Sequence, residues 1–104
     1  MKAKRTRSSG NVFRDLGFSV AEAENLRIRS AIMNALIAQI EKKRLTQARA
    51  AKLLGVTQPR ISDLTRGKIQ LFSIDTLVNM LSASGLKVDL RFRRGIRIPL
   101  RTDV

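Results

Sequence analysis

Over residues 47–66, small and apolar side chains fall at positions that leave the backbone few ways to fold. Ala51 is small enough to let two helices cross closely, and Gly55 can take the positive φ of a tight turn. Val56, Ile61 and Leu64 then point back toward a common interior, which Leu53 and Leu54 complete. Two short helices joined by a glycine turn, a helix-turn-helix, meet all of these demands at once. Thr46 is placed to cap the first of them and Thr57 the second. Pro59 lies in the first turn of the second, where its missing N–H has no helical partner to lose.

An ordinary helical hairpin would share the glycine turn, and the outward face of the second helix separates the two readings. If Ile61 and Leu64 face inward, then Thr57, Gln58, Arg60, Ser62, Asp63, Thr65 and Arg66 share the outer and flanking surfaces, and nearly all of them can donate a hydrogen bond. In a DNA major groove Gln58 can pair bidentately with adenine, and Arg60 with guanine or with a phosphate. Recognition helices meet base edges through their N-terminal residues, so Thr57, Gln58 and Arg60, then Ser62, are the expected base-reading residues. Thr46, Gln47 and Arg49 at the start of the first helix, with Arg66 and Lys68 beyond the second, are the expected phosphate-binding residues. Asp63 is an unusual charge on such a surface; an ion pair with Arg60 or Arg66 is expected of it rather than a base contact.

The overall charge points the same way. Twenty-one Lys and Arg against eight Asp and Glu give a net charge of +13, which favours a polyanionic partner. Much of it sits near the ends: residues 1–11 are expected to form a flexible basic N-terminal arm, and residues 94–104 a basic C-terminal tail. With no Cys and no His, disulfides, thiolate zinc sites and histidine-dependent chemistry are excluded. No carboxylate pair, nucleophile with a base, or glycine-rich phosphate loop is visible, so no enzyme activity, metal or cofactor is expected. No apolar run approaches the roughly 20 residues that span a bilayer, and the basic start is not followed by a signal-peptide core; a cytoplasmic location is expected.

Residues 12–93 read as one mainly α domain. Val12, Phe13, Leu16 and Phe18 cluster around Gly17 and predict a turn of helix, or an irregular cap, that packs on the domain. Ser19 and Glu22 have capping-box spacing and predict a long helix, with Leu26, Ile32, Met33, Leu36, Ile37 and Ile40 on its buried face and its break at Leu45 and Thr46. Ser73 predicts the cap of a further helix over residues 74–84, with Ile74, Leu77, Val78 and Leu81 inward and Gly85 as its stop. Beyond Gly85 the period falls to two. Leu86, Val88, Leu90 and Phe92 alternate with charged residues, which predicts a half-buried C-terminal β-strand. A lone strand is unstable. Its partner is either a second strand through Ile96, Ile98 and Leu100, held to an edge by Pro99, or the same strand of a second subunit. The second is preferred, making Leu86, Val88, Leu90 and Phe92 the expected dimerisation residues of a homodimer.

The run LTQARAAKLLGVTQPRISDLTRGK at residues 45–68 closely resembles the Xre family of phage-repressor-like regulators. With NVFRDLGF at 11–18 and FSIDTLVNML at 72–81, the chain also resembles a subgroup of single-domain Xre proteins that are often HigA-like antitoxins, encoded beside a small ribonuclease-type toxin. The resemblance spans residues 11–93. It implies a lambda-repressor-like helix-turn-helix bundle of four to five helices, ending in the strand. It also implies a homodimer on a palindromic double-stranded DNA operator, commonly in its own promoter, with a toxin as protein partner. The expected function is sequence-specific transcriptional repression by the autoregulating antitoxin of a type II toxin-antitoxin pair. The alternative is a toxin-neutralising interaction module in which DNA binding is incidental.

Overall fold

Each helix begins where a side-chain oxygen replaces a backbone partner that the first turn lacks. The computed structural model describes residues 11–94. Asn11 accepts from the Phe13 N–H at 3.0 Å ahead of α1 (Val12–Asp15). Ser19 and Glu22 form the full capping box ahead of α2 (Val20–Lys42). The hydroxyls of Thr46, Thr57 and Ser73 accept from the N–H groups of Arg49, Arg60 and Thr76, opening α3 (Gln47–Leu54), α4 (Gln58–Thr65) and α5 (Ile74–Ser84). A 3-10 turn, Ile69–Leu71, carries the chain from α4 to α5.

The ends differ in how openly the sequence signals them. α3 and α5 close on Gly55 and Gly85 in the left-handed region, at φ 71° and 85°. The long helix α2 closes on Arg44, at φ 52°. The Arg44 N–H donates to Glu41 O and the Leu45 N–H to Ile40 O at 3.1 Å, the bond pair of a Schellman turn. Such a turn favours glycine, so nothing in the residue types marks it. What holds it is Leu45, which the reversal drops against the core.

That core joins every long element. Met33, Leu36 and Ile40 of α2 meet Ala50, Ala51 and Leu54 of α3, Ile61 and Leu64 of α4, Phe72, and Leu77, Met80 and Leu81 of α5. Removing each large side chain from water contributes about 1.5–3 kcal/mol. α2 lies along α5, while α3 packs on α4 and α5, and α4 also meets α2. Ala50 is as deeply buried as any residue, so the close approach of α3 rests on a pair of alanines and not on Ala51 alone.

Three expectations need correction. No strand occurs among the described residues: the segment after Gly85 runs to Arg94 without regular structure. Leu86 is half-buried on the core, but Val88, Leu90 and Phe92 are 50%, 74% and 90% exposed. A strand is defined by hydrogen bonds to a neighbour, and within the described chain none is offered. The alternative hairpin through Ile96, Ile98 and Leu100, and the expected arms, lie outside the described residues apart from Asn11 and Arg94. Val78 faces water, and the inner face of α5 continues through Met80 and Ser84 instead. Ser84 is tolerated there because its hydroxyl donates to Leu81 O at 2.7 Å and accepts from the Leu86 N–H. In the α1 cluster, Phe13 is half-buried and meets Phe18 edge to face at 6.2 Å, while Val12, Leu16 and Phe18 are exposed.

The two turn geometries predict opposite effects on stability. Replacing Gly55 with Ala strains a left-handed residue and lowers unfolding free energy by about 1 kcal/mol. Arg44→Gly relieves that strain and raises stability by a smaller amount, because it also removes a cation from the negative end of the α2 dipole. Urea denaturation of both variants checks the pair of signs.

Candidate nucleic-acid interface

α4 is oriented by its two deepest side chains. Ile61 and Leu64 are fully buried, and at 3.6 residues per turn the opposite line of the helix runs through Pro59, Ser62, Asp63 and Arg66. Gln58 and Arg60 flank that line on either side. Among the expected base-reading residues Thr57 and Gln58 are exposed, whereas Arg60 and Ser62 are half-buried. Pro59 was not among them, yet it is exposed in the first turn. Its ring adds apolar surface of the kind that can meet a thymine methyl group.

The N-termini of α3 and α4 share an electrostatic property. The first turns of α1, α2 and α5 contain Asp15, Glu22 and Asp75, whereas those of α3 and α4 contain no acid. Their positive dipole ends therefore lack an internal counter-charge. They are not equivalent, however. At α3 the Gln47 and Ala48 N–H groups have no hydrogen-bond acceptor among the described residues; at α4 the same holds for Gln58 alone, since Pro59 has no N–H and Thr57 takes that of Arg60 at 3.3 Å. The start of α3 is accordingly the better anion cradle, and the start of α4 relies more on its side chains. Thr46, Gln47 and Arg49 are exposed at the start of α3, and Arg66 and Lys68 are exposed beyond the C-terminal end of α4.

Two of the charged residues are more constrained than the sequence pattern implies. The Arg60 guanidinium lies 4.7 Å from the centre of the Phe72 ring, a cation–π contact. Asp63 pairs at 3.6 Å with Lys68, not with Arg60 or Arg66. The turn after α4 brings this about: the Lys68 N–H donates back to Asp63 O at 3.0 Å, which returns the chain alongside its own last turn.

Arg29 went unnoticed in the sequence and supports the site from behind. From α2 its Nη1 donates to Ile69 O at 3.2 Å and Phe72 O at 3.1 Å, and its Nε donates to Asn25 Oδ1 at 2.7 Å. These carbonyls belong to the segment that follows α4. A partner 40 residues or more away leaves no periodic trace. Elsewhere on α2, hydrogen bonding from Arg27 holds the Glu24 carboxyl below the usual carboxylate range, and the same bond raises Arg27; both are well exposed, so solvent screens the pair. No group of three His, Cys, Asp or Glu side chains able to hold a metal occurs among the described residues, and no described helix is long and apolar enough to cross a membrane.

A family model described as a helix-turn-helix domain matches residues 12–93. Among solved structures, a candidate XRE family transcriptional regulator is 34% identical, with a TM-score of 0.67 over 80% of this chain and 96% of that one. No curated protein matches the sequence.

Thr46→Ala and Thr57→Ala each remove a cap and are expected to lower the stability of the free protein by about 1 kcal/mol, read by thermal or urea unfolding. Asp63→Asn releases Lys68 and removes the acid from the exposed line of α4. Affinity for duplex DNA of arbitrary sequence is expected to rise, and the slope of log K against log salt to steepen by up to about 0.9, measured by titration at several salt concentrations.

Proposed function

The chain belongs to the XRE family of helix-turn-helix transcriptional regulators, and from that premise we propose that it is a dimeric repressor that binds a palindromic operator in its own promoter. DNA binding is the property of the domain; the operator, the dimer and the division of labour among residues are the proposal. Thr57, Gln58, Arg60 and Ser62 read base edges, while Thr46, Gln47, Arg49, Arg66 and Lys68 hold the flanking phosphates. The observation that carries the reading is the contrast between α3 and α4. Both start without an acid, but α3 has two first-turn N–H groups without an acceptor against one at α4, while side chains able to discriminate bases are gathered on α4.

The dimer rests on the segment after Gly85. Leu86 is anchored on the core, and Val88, Leu90 and Phe92 alternate with charge along exposed backbone. Pairing with the same segment of a second copy supplies the missing hydrogen bonds and covers the apolar side, which makes Leu86, Val88, Leu90 and Phe92 the dimerisation residues. In such a two-fold pair the two copies of α4 address two half-sites of the operator.

A second reading, that the protein also neutralises a small toxin, is favoured by an apolar groove among α1, α2 and the 3-10 turn. It has a volume of about 670 Å³ and is lined by Phe13, Leu16, Phe18, Leu26 and Ile69 among others. An antitoxin uses both surfaces, one for DNA and one for its partner.

Fluorescence anisotropy with the upstream DNA and a scrambled duplex tests the repressor reading. The upstream DNA is expected to bind at least about a thousandfold more tightly at physiological salt, and Arg60→Ala to narrow that gap. Equal binding of both duplexes, abolished by salt, sinks it. Sedimentation of Leu90→Lys is expected to show a folded monomer; an unchanged dimer would place the interface elsewhere.

A further inference from the structure

We propose that Phe72 is a positioning residue for base recognition: its ring holds the Arg60 guanidinium in its reading direction before DNA arrives. The inference rests on the reading of Arg60 as a base-contacting residue and adds the part of the fold that aims it. Three observations meet at this point. The Phe72 ring is fully buried with the Arg60 guanidinium carbon 4.7 Å from its centre, so the cation covers a face of the core. No hydrogen bond from the Arg60 side chain occurs among the described residues, which leaves its five N–H donors without a partner there. The backbone carrying Phe72 is itself held, because Arg29 of α2 donates to the carbonyls of both Ile69 and Phe72.

Stacking and edge recognition use different parts of a guanidinium. The π face of a ring attracts the charge of the cation, and a guanidinium held over it can still present the forked edge that matches guanine O6 and N7. A long flexible side chain normally loses rotamer freedom when it docks; one already laid on an aromatic face loses less. Leucine at position 72 would keep the site apolar but is smaller and has no π face. Phenylalanine here both fills the core and offers the cation a face. Arg29 serves the same end by fixing the backbone at both ends of the segment from residue 69 to 72, so that the ring stays in place relative to α4.

The test uses the full chain and a duplex selected by the wild-type protein from a random-sequence pool, with each base pair then replaced singly. Arg60→Ala, Phe72→Leu and the double variant are titrated against the whole set. Phe72→Leu is expected to lower affinity for the selected duplex by about two- to fivefold, to leave random duplexes unaffected, and to flatten the same base positions that Arg60→Ala flattens. In the Arg60→Ala background it is expected to add nothing. If Arg60→Ala flattens positions that Phe72→Leu leaves sharp, or the two effects simply add, the positioning role is wrong while base reading by Arg60 stands. If Arg60→Ala flattens no position, the underlying reading of Arg60 fails first and the inference fails with it. Should Phe72→Leu not fold, the free wild-type protein decides the matter by NMR: the Arg60 Nε–H resonance is expected upfield of an exposed arginine, shifted by the ring current. An ordinary exposed position for that resonance overturns the proposal.

Discussion

The burial of Ile61 and Leu64 is the contact on which the rest of this molecule depends. Those two side chains fasten an eight-residue helix that is too short to be stable by itself. They also set its rotation, and so decide which residues of α4 face outward. Everything around them serves that anchorage. Ala50 and Ala51 let α3 approach, α2 and α5 close the core, and Phe72 fills the space beyond the end of α4. A change in this core would thus alter recognition by turning α4 as well as by weakening the fold, since close-packed interiors transmit such shifts.

Charge is distributed around that anchor with a clear bias. The chain carries a net +13, and the ion pairs seen between described residues are those of Arg27 with Glu24 and Lys68 with Asp63. α1, α2 and α5 begin with an acid that complements their own dipoles, while α3 and α4 do not. The two helices left uncompensated are those of the DNA-binding motif. Their stability in the free protein falls on threonine caps, whose hydroxyl oxygens accept backbone N–H groups without adding negative charge. A cap by aspartate would serve the helix equally well but would repel a phosphate.

The elements that were legible in the sequence are those whose cause is local. Ser19 with Glu22, Thr46, Thr57 and Ser73 each act within three residues of themselves, and each starts a helix where its spacing indicated. The i, i+3 and i+4 pattern likewise gave Leu26, Met33, Leu36 and Ile40 their inward direction. The pattern was less reliable where two similar residues competed for one face. On α5 it favoured Val78, and the packing took Met80 and Ser84, because a serine can be buried when its hydroxyl is satisfied nearby. The alternation of residues 86–93 suggested a strand that the described chain does not form, because it offers that segment no neighbouring strand.

For the site the division follows the same principle. The amino-acid order by itself determined the motif, its caps, its glycine turn and the chemical inventory of the outward residues, because all of these depend on neighbours within one or two helical turns. Tertiary structure decided the rest: that Arg44 could take a left-handed turn because Leu45 had a core to enter, that Arg29 would hold carbonyls 40 and 43 residues away, and that Arg60 would lie on Phe72. The physical reason is that each of these contacts is stabilised by a partner whose distance along the chain is unrelated to its distance in space. No periodicity can encode such a partner, and only the packed helices bring it within reach.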